Sequence, residues 1–315
     1  MSRKRGPRTR WAREQQSQRP TPRGASPAGQ PGGRSGARPG SAPYLANRAG
    51  GELAGWPLAF SHRGDAAHGD ENTLPAFQRA VEAGYAYLEL DIRTSRDGHA
   101  VVFHDETLDA LTDGSGPVSD HTLEELRAVS IGGEPMAALD DLFHTAVLHW
   151  PHARFNIDVK DAAGAVPLAR AVHRYGLASR VLVASFEDAH RIACVDELER
   201  LTSRRDIAQS PGMRLMAEFR VLSALGLGRL MARRLRGITA FQVPVRYRGV
   251  PVVTRGFVRQ AHALGIQVHV WTIDEPAEMR RLLALGVDGL MTDRPDVLAE
   301  VMRENETWPQ GRGAG

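Results

Sequence analysis

The sequence predicts an α/β protein of the (β/α)8-barrel type, and three observations carry that reading. Eight short apolar runs begin at residues 57, 86, 154, 181, 213, 239, 267 and 287. Each is rich in aliphatic and β-branched side chains, as strands buried on both faces are. All but one of the intervals fit a strand, a helix and two short loops, and the series fills about 250 residues, the usual span of such a barrel. A doubly wound open sheet is the competing layout, but no Gly-x-Gly-x-x-Gly follows a predicted strand.

The elements follow in order. Residues 1–42 are rich in Arg, Pro, Gly, Ser and Gln and nearly empty of large aliphatics. They cannot bury enough apolar surface to offset chain ordering, so a disordered basic tail is expected. The barrel is expected over residues 55–305, with a flexible terminus at 306–315. Strand one (PLAFSHR) ends at His62-Arg63-Gly64. The next helix carries Leu74, Phe77 and Val81 at helical spacing, with Pro75 early and Gly84 as its stop. Strand two is AYLELDI. The 68-residue interval after it reads as an insertion over about residues 98–133, and long insertions in compact domains are usually functional. Strands three to five are RFNIDV, VLVASF and MRLMAEF, the last followed by an amphipathic helix over 219–235. Strands six and seven are TAFQVPV and QVHVWTI. Asp274 caps the helix that follows, which Gly286 closes, and VDGLMTD is strand eight.

Charge and cysteine content narrow the function. Residues 1–50 carry 11 basic residues against Glu14, a net +10, whereas the whole chain is +3, so residues 51–315 are at −7. The basic pI thus belongs to the tail, and the body is not expected to bind specific nucleic acid. Weak contact with a membrane surface is the partner expected of the tail. Cys194 is the single cysteine, which excludes a disulfide framework. No apolar stretch follows the basic amino terminus and no uncharged run reaches the ~18 residues of a membrane span, so a cytoplasmic protein is expected.

In a barrel of this type the site lies at the carboxyl ends of the strands. Sorting charged residues by that rule puts His62 and Arg63 after strand one and Glu89 and Asp91 on strand two. His104 follows a short β-like run, Asp158 and Lys160 end strand three, and Trp271 ends strand seven. Glu89 and Asp91 share a strand face roughly 6–7 Å apart, and two carboxylates so placed among apolar residues repel unless a cation sits with them. All-oxygen ligands favour Mg²⁺ or Ca²⁺, with Asp158 as a third carboxylate. An Arg–His pair suits an anionic oxygen substrate, since Arg holds phosphate bidentately and His exchanges a proton near neutral pH. Lys160 is the only lysine after Lys4, in a chain that otherwise uses 38 arginines. His144, His149, His152, His173, His190 and His262 are read as structural.

These residues resemble the glycerophosphodiester phosphodiesterase family. The resemblance runs from about Ala59 to Asp296. It rests on His62-Arg63-Gly64, Glu71-Asn72-Thr73-Leu74, Glu89-Leu90-Asp91, Phe103-His104-Asp105, Asp158-Val159-Lys160, Val270-Trp271-Thr272, Gly286-Val287-Asp288-Gly289 and Thr292-Asp293. It implies a barrel with an insertion after strand two that hydrolyses glycerophosphodiesters to sn-glycerol 3-phosphate and an alcohol. Carried over, Glu89, Asp91 and Asp158 bind a divalent metal, and His62 and His104 are general base and acid. Arg63 and Lys160 hold the phosphate, Glu71 is a further acid at the site, and Trp271 lines the glycerol pocket. Departures from the family's common pattern are Asp70 where Pro is usual, Asp158 where Glu is common, and Asp274 where Asn is frequent. Two further readings stand beside it. One is a lysophospholipid-cleaving relative, with residues 219–235 as its apolar platform. The other is a non-catalytic phosphate-binding barrel. Oligomeric state is not legible.

Overall fold

The computed structural model describes residues 42–48 and 53–308. The expected disordered tail therefore lies, but for Ala42, outside the described residues, and so does the terminus beyond Trp308. Eight parallel strands build the barrel: β1 (Leu58–Ser61), β2 (Tyr87–Thr94), β3 (Arg154–Val159), β4 (Val181–Ala184), β5 (Ala208–Gln209), β6 (Ala240–Pro244), β7 (Gln267–Trp271) and β8 (Gly289–Thr292). Their order is β5-β4-β3-β2-β1-β8-β7-β6. The β5–β6 seam is bridged at one point. Thr239 N donates to Gln209 O at 3.0 Å, and Gln209 N donates to Thr239 Oγ1 at 2.9 Å.

A helix returns from each strand to the next, apart from the one-turn helix Leu123–Leu126 inside the insertion: α1 (Leu74–Glu82), α2 (Leu139–His149), α3 (Ala165–Arg174), α4 (Asp188–Thr202), α5 (Met213–Ala224), α6 (Arg255–His262) and α7 (Pro276–Leu285), with α8 (Pro295–Glu304) after the last strand. The local reasons are those of the sequence. Thr73 accepts from Ala76 N as the α1 cap, with Pro75 in the first turn, where its missing N–H costs nothing. Gly286, at φ 89°, ends α7 in the left-handed conformation. Helices and outward strand residues share one apolar core that includes Phe77, Leu90, Phe155, Phe241 and Leu290. None of the described helices is long and apolar enough to cross a membrane.

The period of two along the strands decides what enters the barrel. Tyr87 pairs with Arg154, Glu89 with Asn156 and Asp91 with Asp158 across the β2–β3 ladder. The even-spaced series thus runs from an apolar amino end to a charged carboxyl rim. The amino end is stoppered by the chain itself. Tyr44, Leu45, Ala46 and Leu53 are buried against Leu58, Phe60, Tyr87 and Met291. Tyr87 Oη donates to Tyr44 O (2.7 Å) and accepts from Ala46 N (2.9 Å).

Several expectations need correcting. MRLMAEF is not strand five but the first half of α5, because Met, Leu, Ala, Glu and Arg are strong helix formers. Strand five is the two-residue Ala208–Gln209, hidden in a polar stretch. The helix expected over 219–235 ends at Ala224, followed by a 3₁₀ turn at Gly228–Met231. Asp274 does not cap α7, whose cap position is Glu275. Its Oδ1 accepts instead from Thr292 Oγ1 and Asp293 N, both at 2.9 Å, tying the β7 loop to the end of β8. Packing begins upstream of residue 55, at Ala42. It also extends past 305, where the Trp308 ring meets Tyr85 edge-on at 4.9 Å.

The insertion after β2 is folded. Ala100–Val102 pairs antiparallel with the end of β2, and a hairpin joins Ser130–Ile131 to Glu134–Pro135. Val101, Phe103, Leu108, Val118, Leu126, Ile131 and Met136 form its own small core.

Candidate active site

A cavity of ≈ 560 Å³ opens at the carboxyl rim, lined by His62, Arg63, Glu89, Asp91, His104, Asp158, Lys160 and Trp271. Eight of the nine expected site residues therefore meet in one place. Glu71, the ninth, reaches it through Arg63, whose Nη1 donates to Glu71 Oε1 at 2.7 Å.

The loop after β1 is shaped by backbone as much as by side chains. Arg63 (φ 53°) and Gly64 (φ 83°) both lie in the left-handed region. A Cβ on Gly64 would stand 2.8 Å from the Ala76 carbonyl carbon, so only glycine lets the loop fold onto α1. That turn aims Arg63 N at Glu89 Oε2 (3.2 Å) and brings the Arg63 Nε to 3.0 Å from Asp91 Oδ2. Asn72, also at positive φ, donates from Nδ2 to Asp91 Oδ2 at 3.1 Å.

The carboxylates on β2 and β3 are buried: Glu89 is 5%, Asp91 1% and Asp158 9% exposed. Lys160 Nζ sits between two of them, 2.8 Å from Asp91 Oδ1 and 2.6 Å from Asp158 Oδ2. Charges at this depth cost several kcal/mol each unless paired, and the pairing is uneven. Burial would raise the Asp91 carboxyl, but Lys160 and Arg63 overcome it and hold the group below its ordinary range. Burial, with the neighbouring Asp91 charge, pushes Glu89 up to about 7. Burial also raises Asp158, against the pull of Lys160. Asp158 Oδ1 is buried without a hydrogen-bond partner.

Each histidine has its own carboxylate. His62 Nδ1 is 2.6 Å from Asp293 Oδ1, leaving Nε2 to face Glu89 Oε2 at 3.7 Å. Burial alone would lower its pKa, but Glu89 and Asp293 outweigh that and drive it up to about 9. His104 Nδ1 is 2.7 Å from Asp105 Oδ1, and Arg93 Nε donates to the His104 carbonyl at 2.9 Å. The histidines come from opposite sides of β2 in the chain, one from the β1 loop and one from the insertion. Trp271 lies edge-on to Phe186 at the mouth, ring centroids 6.2 Å apart.

Sequence reasoning passed over three partners: Asp293, Asp105 and Asn72. Each sits within a quoted motif, and a carboxylate or amide beside a rim histidine or acid is the signal that could have found it. Gln242 and Asn156, joined at 2.9 Å on the cavity wall, carried no such signal.

Fold and site together define a (β/α)8-barrel enzyme with two histidine–carboxylate pairs and fixed cations at its carboxyl rim. The profile of the glycerophosphoryl diester phosphodiesterase family matches residues 62–297, and the chain belongs to that family. It is 37% identical over 256 residues to a Mycobacterium tuberculosis protein named "Probable glycerophosphodiester phosphodiesterase 2", covering 81% of this chain and 94% of that one. It is 30% identical to a glycerophosphodiester phosphodiesterase of Caldanaerobacter subterraneus, covering 78% and 98%. Among solved structures, an Oleispira antarctica phosphodiesterase in complex with the product sn-glycerol-3-phosphate superposes with a TM-score of 0.60 at 19% identity, covering 79% and 98%. That last likeness bears on the fold.

Proposed function

We propose that this chain hydrolyses glycerophosphodiesters to sn-glycerol 3-phosphate and an alcohol, with a divalent cation at the rim. The observation that carries the reading is one cavity lined by two carboxylate-anchored histidines, three buried acids, an arginine and a lysine. Two proton-exchanging groups are what phosphodiester cleavage needs. One takes the proton of the attacking hydroxyl or water, the other returns one to the leaving alcohol, and fixed positive charge holds the phosphate.

The donor chemistry fits a hard cation, Mg²⁺ or Ca²⁺. Glu89, Asp91 and Asp158 offer only oxygen, Asp158 Oδ1 lacks a partner, and burial together with the Asp91 charge pushes Glu89 up to about 7. Among the described residues no three His, Cys, Asp or Glu side chains already converge on a metal position; Lys160 is the cation of the carboxylates here. Glu89, Asp91 and Asp158 are the residues that would hold the ion, and its chemistry would be charge neutralisation at phosphate. Glu89 held on a cation would pull less on the His62 proton, leaving the imidazole nearer the neutral form a base requires.

In this reading His62 is the base, positioned by Asp293, and His104 the acid, positioned by Asp105. Arg63 and Lys160 bind the phosphate, Glu71 orients Arg63, and Trp271 covers the glycerol. The test is glycerol 3-phosphate release from glycerophosphocholine after EDTA stripping. Activity is expected to vanish and to return with Mg²⁺ or Ca²⁺; undiminished turnover in stripped protein would remove the metal from the account.

A further inference from the structure

Charge is divided unevenly around the cavity. The three acids that line it, Glu89, Asp91 and Asp158, stand on β2 and β3, where His62, Arg63 and Lys160 face them. Along the lining from Ala184 to Thr272, which includes β6 on the opposite side of the barrel, the charged residues are Arg220 and Arg248 alone. Neither has a carboxylate partner among the described residues. Arg220, on α5, donates from Nε and Nη2 to Pro251 O at 2.9 and 2.7 Å. The Arg248 guanidinium lies over the Tyr247 ring, 5.6 Å from its centroid. A guanidinium on a cavity wall with no anion from its own chain is open to an anion of the ligand.

Arg248 is held there at a backbone cost. Arg246–Tyr247 pairs antiparallel with Val250–Pro251, which leaves Arg248 and Gly249 as a two-residue turn. Both have positive φ, 47° and 81°, the pattern of a type I′ turn, whose first central position favours Asn or Gly. A long side chain is strained at that φ, and strain of this kind collects at ligand sites. The hairpin is tied down from both ends. Arg246 Nη1 donates to Gly249 O at 2.9 Å, and Arg220 grips Pro251, so Arg248 stands on a fixed turn.

We propose that Arg248, assisted by Arg220 on the same wall, determines specificity for the leaving alcohol by binding a negatively charged group on it, a carboxylate or a second phosphate. This rests on the phosphodiesterase reading above and names the class of alcohol. In that reading Arg63 and Lys160 hold the reacting phosphate, so the two arginines are left for a second anion. A cationic alcohol is still cleaved but gains nothing from this wall. The Phe186 and Tyr247 rings, which could cage an ammonium group, lie under the chain's own cations, Lys160 Nζ at 5.5 Å and Arg248. The reaction is unchanged: the oxygen of water bonds to phosphorus, the P–O bond to the alcohol breaks, and the alcohol oxygen takes up a proton.

The test uses matched diesters that differ by one anion. Glycerophosphoserine against glycerophosphoethanolamine isolates the carboxylate, and bis(glycerophospho)glycerol against glycerophosphoglycerol isolates the second phosphate. Initial release of glycerol 3-phosphate gives kcat/KM per cleavable bond. The anionic member is expected to exceed its partner by about five-fold, the size of an exposed ion pair, and the excess to shrink as salt is added. A preference confined to one pair identifies the anion. Arg248→Asn removes the charge and suits the turn, so the ratio is expected to fall to about one while the thermal midpoint holds or rises. Arg233→Asn, at an exposed position outside the cavity lining, is expected to keep the ratio. Equal efficiency within both pairs, or a ratio that survives Arg248→Asn, would overturn the proposal and leave the phosphodiesterase reading standing. No glycerol 3-phosphate from any of the four diesters would overturn both.

Discussion

Replacing Asp293 by Asn tests how the His62 proton is held. The carboxylate Oδ1 is 2.6 Å from His62 Nδ1, a charge-assisted contact, and such bonds contribute about 1.5–3 kcal/mol. Asp293 is 55% exposed while His62 is 16% exposed, so solvent screens one partner and the low end of that range applies. At 1.36 kcal/mol per pKa unit, losing the charge should lower the His62 pKa by about one unit from about 9. The remaining elevation belongs to Glu89, whose oxygen faces Nε2 at 3.7 Å. The assay is histidine-selective NMR titration of metal-free protein, wild type against Asp293→Asn. Turnover of the variant should fall with kcat more than KM, since the ring loses its orientation and substrate contacts are untouched. A His62 titration unchanged by the substitution would refute the assignment of Asp293 as its anchor.

Three more outcomes follow from the same geometry. The metal-free protein should lose stability as pH rises from about 5 to 9. His62, raised from 6.5 to about 9, stabilises fully below 6.5 and loses that on the order of 3 kcal/mol as pH passes 9. Glu89, pushed up to about 7 by burial and the Asp91 charge, also costs stability as it ionises, so both groups act in the same direction. Urea midpoints across this range check it, and a flat profile would be contrary. Lys160→Met strips the cation from two buried carboxylates and should cost about 3–5 kcal/mol in urea unfolding, partly recovered by adding Mg²⁺ or Ca²⁺. Gly64→Ala forces a Cβ against Ala76 at a positive φ. It should cost at least about 2 kcal/mol and reduce kcat, read by thermal unfolding and turnover.

How much of this was legible in sequence depends on the range of the interaction. Strand alternation and the carboxyl-rim rule suffice to put Glu89, Asp91, Asp158 and Lys160 on one floor, because the period is local and the rim is common to every such barrel. His62 and Arg63 come with them because Gly64 announces the turn. Asp293 was harder to assign, since its meeting with His62 depends on the register of β1 against β8, where Ser61 pairs with Thr292. Strand five failed for the opposite reason. Two residues, Ala208–Gln209, carry too little pattern to outweigh the apolar run beside them, and that run obeys helix propensity once Gly212 starts it. The stopper at the barrel's amino end was invisible because Tyr44 and Leu45 sit in polar, Gly-containing surroundings and gain their burial from residues further along the chain, among them Phe60, Tyr87 and Met291.

The central claim is that His62 and His104, across one phosphate-binding floor, carry out diester hydrolysis. Glycerol 3-phosphate release from glycerophosphocholine, followed by coupled enzymatic detection in wild type, His62→Ala and His104→Ala, tests it most directly. General acid–base groups contribute about 10²–10⁴-fold each. Each variant is therefore expected to fall by at least about a hundred-fold with folding intact. Wild-type rates in either variant would contradict the account.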